Sequence, residues 1–191
     1  MKKVSLDFRT GRATMASMAL LAGVFFVSCD NDDDNPEAVD EEEVITTMNV
    51  SLTATGSTVN LQVRDLDGDG PDEPEITVSG NLASNTTYVG SIELLNETET
   101  PTEDITLEIR EEDDEHQFFF AATGSIANVT ATDTDGDGNP LGLTFSLETG
   151  DAGAASLSIT LRHEPKKPND GTLADARGET DIAQTFNLVV E

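Results

Sequence analysis

From residue 44 onward the chain is written in short runs in which every second residue is apolar. Val50, Leu52 and Ala54 alternate with polar neighbours, and so do Val59, Leu61 and Val63; Ile76 and Val78; Leu143, Phe145 and Leu147; Leu157, Ile159 and Leu161; and Ile182, Phe186, Leu188 and Val190. Successive side chains on a strand point to opposite faces, so a period of two marks a strand with one face buried and the other wet. Turn formers punctuate the runs: Thr55-Gly56-Ser57, the segment 68–74, Gly80-Asn81, the segment 136–140 and Thr149-Gly150-Asp151. Threonine supplies 22 of the 163 residues after position 28 and falls largely inside the runs, as suits a β-branched residue on a solvated sheet face. Short strands at regular spacing predict an all-β domain over 44–191, a β-sandwich of the immunoglobulin-like kind. Leu, Ile, Val and Phe account for 37 of those 163 residues, above the roughly 20% below which disorder is expected. One modest core is within reach.

The segment 102–115 fits this pattern least well. Ile105, Leu107 and Ile109 alternate as in a strand, yet Pro101 and Thr102 followed by acidic residues look like a helix start. A strand is favoured, with one short helix near 102–115 as the alternative. Next comes His116-Gln117-Phe118-Phe119-Phe120-Ala121-Ala122, the densest aromatic cluster of the chain. It reads as a central strand buried on both faces, with an exposed binding patch as the less favoured reading.

The N-terminus carries an address. Lys2, Lys3, Arg9 and Arg12 precede an apolar run from Ala19 to Val27, too short to span a bilayer and typical of a secretory leader over 1–28. The run ends in Phe26-Val27-Ser28-Cys29, which resembles a bacterial lipobox. Cys29 is therefore the expected lipidation site, and more than one acyl chain there gives stable anchoring. Residues 30–43 hold nine acidic residues in fourteen and no basic one. A stretch so charged and so poor in apolar residues is expected to be a disordered tether over 29–43. It resembles the acidic segment that follows the lipidated Cys in surface-exposed lipoproteins of Bacteroidetes-type bacteria. Asp30 directly after Cys29 is an inner-membrane retention signal in enterobacteria; in the Bacteroidetes setting the outer membrane is expected instead.

Charge excludes one class of partner. The chain has 38 acidic and 10 basic residues, a net of −28, and without residues 1–28 it keeps 37 and 6, a net of −31. Such a balance repels phosphate backbones, and no basic patch offsets it, so nucleic acid is not an expected partner. The expected partners are a membrane, through the lipid, and an unidentified protein or glycan.

Two loops carry the clearest chemistry. Asp65-Leu66-Asp67-Gly68-Asp69-Gly70 and Asp133-Thr134-Asp135-Gly136-Asp137-Gly138 both read D-x-D-G-D-G, 68 residues apart. Carboxylates at alternate positions, with glycine permitting a sharp turn, can surround a hard cation, and calcium suits a loose oxygen shell. Asp65, Asp67, Asp69, Asp133, Asp135 and Asp137 are thus candidate calcium ligands with a structural role. The twelfth positions are Ile76 and Thr144 rather than Glu, so a bidentate ligand would come from elsewhere. Turn-prone acidic hairpins without metal explain the same residues equally well. The spacing is compatible with an internal repeat or with two similar hairpins.

Catalytic motifs are scarce. His116 and His163 are the two histidines, and neither stands in a zinc spacing such as H-E-x-x-H. His163, beside Arg162, reads as a strand-end residue. No G-x-S-x-G elbow or phosphate-binding G-x-x-x-x-G-K-[ST] occurs, and Trp is absent.

The segments Glu41-Glu42-Glu43-Val44-Ile45-Thr46-Thr47, Arg64-Asp65-Leu66-Asp67-Gly68-Asp69-Gly70, Leu94-Leu95-Asn96-Glu97-Thr98, His116-Gln117-Phe118-Phe119-Phe120, Leu161-Arg162-His163-Glu164-Pro165-Lys166 and Gly178-Glu179-Thr180-Asp181-Ile182 together resemble a group of small lipoproteins from flavobacterial and related species. The resemblance implies no activity. The type 1 periplasmic binding fold, a label given to some of these sequences, needs alternating strands and helices over a longer chain than this one. The expected function is that of a non-enzymatic, lipid-anchored outer-membrane protein of the cell surface. A solute- or glycan-binding accessory lipoprotein is the second expectation, and a carboxylate-dependent hydrolase the third.

Overall fold

A computed structural model describes residues 43–68 and 70–191. The leader 1–28, Cys29, the acidic run 30–42 and Asp69 lie outside the described residues. The alternating runs form strands, and the register puts their apolar positions on shared faces. The hairpin of β1 (Thr47–Ala54) and β2 (Ser57–Arg64) sets Met48 opposite Val63, Val50 opposite Leu61 and Leu52 opposite Val59, and all six are buried. After β2 come β3 (Glu75–Val78), β4 (Thr87–Asn96) and the two-residue β5 (Glu103–Asp104), which pairs with the end of β4. A helix, α1 (Ile105–Glu111), leads into β6 (His116–Gly124), followed by β7 (Ile126–Ala131), β8 (Thr144–Thr149) and β9 (Gly153–His163). One helical turn, α2 (Leu173–Ala176), precedes the final strand, β10 (Glu179–Val190).

The strands build two antiparallel sheets. The larger runs β3-β2-β1-β4-β8-β7, and the smaller runs β10-β9-β6. Their inner faces share one apolar core, in which Met48, Leu61, Tyr88, Leu94, Phe145 and Leu147 from the first sheet meet Phe118, Leu157, Ile159, Leu161 and Phe186 from the second. The all-β sandwich expected from the periodicity is the fold observed.

Strand β4, at the middle of the larger sheet, is the element the alternation conceals. Tyr88, Ile92 and Leu94 point inward, but the position between them is Gly90. A Cβ on Gly90 would lie 2.3 Å from the Phe145 ring, so the missing side chain is the space that Phe145 fills.

The segment 102–115 departs from the favoured strand reading. Asp104 caps α1 by accepting from the Thr106 N–H at 3.1 Å, which satisfies one of the helix's orphan donors. Ile105 and Ile109, four apart, are buried at 2% and 0% exposure, whereas Leu107 between them is 57% exposed. Three apolar residues at alternate positions suit either structure; burial of Ile105 and Ile109 against the core selects the helix, and the Asp104 cap supports it. The aromatic run is also corrected in one respect. β6 is buried on both faces at its start, but it is an edge strand of the smaller sheet and not a central one.

Candidate functional site

Antiparallel pairing fixes which ends of the strands meet. β1, β3, β6, β8 and β10 begin, and β2, β4, β7 and β9 end, at one end of the sandwich. Both D-x-D-G-D-G loops, α1 and the start of the described chain at Glu43 are therefore at that end. So are both histidines. His116 opens β6, His163 closes β9, and the two are directly paired, with ring centroids 4.8 Å apart.

Two carboxylates close around them. Glu43, just ahead of β1, crosses from the first sheet to place Oε1 2.7 Å from His116 Nε2 and Oε2 3.4 Å from His163 Nδ1. Asp181 brings Oδ1 to 3.9 Å from His163 Nδ1. Asp181 is the extra residue where β10 slips register between Thr180, opposite Arg162, and Ile182, opposite Leu161. Such a bulge re-aims a side chain, and here it turns Asp181 as well as Ile182 toward the interior. Gly178, at φ +68°, lets the chain approach the end of β9, since a Cβ there would lie 2.2 Å from the His163 carbonyl oxygen. The four side chains are between 0% and 8% exposed, and one ligand atom from each falls within 4.8 Å of all the others.

Electrostatics bind the group together. Burial pushes the Glu43 carboxyl up, but His116, helped by His163, outweighs burial and holds it below its ordinary value. Burial likewise pushes His116 down, and Glu43 together with the Glu112 carbonyl raises it above its ordinary value. His116 Nδ1 lies 3.0 Å from the Glu112 carbonyl at the C-cap of α1. With Nδ1–H donating to that carbonyl, Nε2 is the nitrogen that faces the cluster. Beside the group, a cavity of about 480 Å³ opens between Val63, Asp65 and Pro74 on one side and Asp181, Ile182 and Ala183 on the other.

The aspartates singled out by their motif are placed differently. Asp135 is buried with its side chain fully covered, and Lys167 Nζ sits 3.1 Å from Oδ2. Asn139 donates to the same carboxylate from its backbone at 2.8 Å and from its side chain. Lys167 also donates to the carbonyls of Asp113 and His116, so an ammonium ion occupies the acidic pocket of the second loop. Asp133 accepts from the backbone N–H groups of Gly142 and Thr144 at 2.8 and 3.1 Å. The Asp137 backbone N–H is used by Asp135. In the first loop, Asp67 is exposed and accepts from the Asp72 backbone N–H, while Asp65 accepts from that of Asp67. Among the described residues, the group of His and carboxylate side chains that converges as metal ligands would is the Glu43 cluster, not either loop.

No local motif marks any of its four members, and the two histidines lack a zinc-type spacing. They stand 47 residues apart, His163 reads as a strand-end residue, Glu43 falls in the expected tether, and Asp181 belongs to no motif with chemistry. The aromatic residues weighed for ligand binding are largely interior: Tyr88 and Phe118 are 1% and 2% exposed, and the Tyr88 hydroxyl accepts from the Ala83 N–H at 2.7 Å. Phe119 and Phe120 do line a half-open groove of about 300 Å³ with Leu173 and Thr160. No helix among the described residues is long and apolar enough to cross a membrane. Compared with family models, with curated proteins and with solved structures, the chain finds no match.

Proposed function

We propose that this chain is a lipid-anchored protein of the bacterial outer membrane, displayed on the cell surface, that acts by binding or by building the envelope rather than by catalysis. The observation that carries the reading is the succession of a basic leader, a short apolar run, Cys29 and nine acidic residues in the following fourteen. The geometry at the start of the domain is in keeping with it. A domain held by its N-terminal end needs that end locked to its core, and here the lock is double. Thr46 exchanges bonds with Leu95, Asp65 and Glu97 in the first sheet, while Glu43 reaches the histidines of the second.

Labelling of cells with radioactive palmitate tests the anchor. The protein should take up label and partition with the outer membrane, and Cys29→Ala should do neither; label retained in Cys29→Ala would refute the reading. Protease added to intact cells should remove the domain if it faces outward. A second reading, solute or glycan binding, is favoured by the apolar groove at Phe119, Phe120 and Leu173. It predicts that a glycan or small-solute panel contains a compound that raises the melting temperature of the protein and not of Leu173→Asp.

A further inference from the structure

We propose that Glu43, His116, His163 and Asp181 form a binding site for one divalent first-row transition metal of the zinc class, closed and structural, which ties the start of the chain to the second sheet. The donor set is two imidazoles and two carboxylates, a combination that suits zinc and its neighbours. Zinc bound at about 2.0–2.1 Å in a tetrahedron holds its ligand atoms about 3.3 Å apart. The contacts of 2.7 Å from His116 to Glu43 Oε1, 3.4 Å from His163 to Glu43 Oε2 and 3.9 Å from His163 to Asp181 bracket that value, and one ligand atom from each of the four lies within 4.8 Å of the others, so a bound ion would draw the wider pairs in.

The second observation concerns hydrogen bonding. His116 is fully buried and Glu43 is 4% exposed; His116 Nε2 meets Glu43 Oε1 as a buried ion pair, yet neither that nitrogen nor Glu43 Oε2 makes an aligned hydrogen bond. The 2.7 Å approach of Nε2 to Oε1 is close but lacks hydrogen-bond alignment. A buried carboxylate and imidazole left without aligned hydrogen bonds are costly, and a cation held between them satisfies both. The Glu112 carbonyl supplies the outer-sphere partner that a ligating imidazole ordinarily has, since it takes Nδ1–H and leaves Nε2 inward. Two carboxylates and two neutral imidazoles balance a 2+ ion. With four protein ligands and almost no exposure, the site has no open position for substrate, which makes it structural. The neighbouring cavity at Asp65 and Ala183 gives the ion a route in.

The test uses purified protein stripped with a chelator, then titrated with zinc in the presence of excess calcium to occupy weak acidic sites. One equivalent should bind and raise the melting temperature by about 5–10 °C at 100 times the dissociation constant. Cobalt as a probe should give the visible absorption of a tetrahedral N/O site. Asp181→Asn and His163→Gln, which keep shape and polarity, should each weaken zinc binding at least tenfold and lose the cobalt bands. His116→Gln serves as a third variant should either fail to fold. Failure of the stripped protein to take up an equivalent of zinc, or zinc binding unchanged in both conservative variants, would overturn the proposal. Neither result bears on Cys29 or the anchor.

Discussion

The chain uses the pattern D-x-D-G-D-G twice, and both times it closes a hairpin at the same end of the same sheet, between β2 and β3 and between β7 and β8. In the second loop the central aspartate, Asp135, is buried against Lys167 and Asn139, and Asp133 holds the backbone of Gly142 and Thr144. In the first, Asp67 stays exposed beside a strand, β3, whose Ile76 and Val78 are themselves 49% and 37% exposed. The same motif is an interior fastening at one edge of the sheet and a solvated turn at the other. What differs is the neighbour: the segment after β9 carries Lys167 over the second loop. A local motif sets what a loop can accept, and the packing around it sets what it receives.

The comparison breaks most readily at Lys167. Lys167→Met leaves Asp135 buried without its cation and should cost about 3–5 kcal/mol in urea denaturation, whereas Asp67→Asn should stay within about 0.5 kcal/mol. Equal losses from the two changes would erase the distinction between the loops.

Acid sharpens it next. Burial pushes the Asp135 carboxyl up, but Asn139 and Lys167 prevail and hold it below its ordinary value of 3.8. A carboxyl with a depressed folded pKa stabilises the fold above its unfolded value and loses that contribution as pH falls through the folded one. The stability of the native chain should therefore fall below about pH 4 more steeply than that of Asp135→Asn, which itself should be less stable at neutral pH by about 1–3 kcal/mol. Parallel curves from urea midpoints between pH 2 and 6 would count against the buried pair.

The flanking aspartates should differ by less. Asp133→Ala strands the Gly142 and Thr144 N–H groups, and a loss of about 1–2 kcal/mol is expected in thermal melts. Asp65→Ala gives up one 3.3 Å contact to its own loop and should cost under about 0.5 kcal/mol.

Calcium is expected to have the smallest effect, confined to the first loop, where no ammonium ion occupies the described carboxylates. A rise of a degree or two in melting temperature at millimolar calcium should vanish in the double variant Asp65→Asn, Asp67→Asn and survive in Asp133→Asn. Loss of the calcium effect in Asp133→Asn alone would move the site to the second loop.

How much could be read beforehand varied with the reach of the interaction concerned. Runs such as Leu157, Ile159 and Leu161 announce β9 because a half-buried strand has a period of two, and that property is local. β4 was hidden because Gly90 removes an apolar residue from the pattern to make room for Phe145, a partner 55 positions away. α1 was misjudged because Ile105, Leu107 and Ile109 suit either structure; burial of the first and last, with Leu107 outside, is a decision of the core. The cluster was least legible of all. Glu43 is one of nine acidic residues in its run, and no spacing links His116 to His163 until β6 pairs with β9.

The sequence by itself determined the class of fold, the turns and the negative charge, all of which follow from local periodicity, local φ preferences and composition. Only the tertiary structure decided which carboxylates are buried, which one takes an ammonium ion, and that two histidines, an aspartate on a bulge and the first described glutamate meet at one point. The physical reason is that desolvation and coordination depend on distances across the sheets. Those distances are set when strands far apart in the chain pair in register, and no window of sequence contains them.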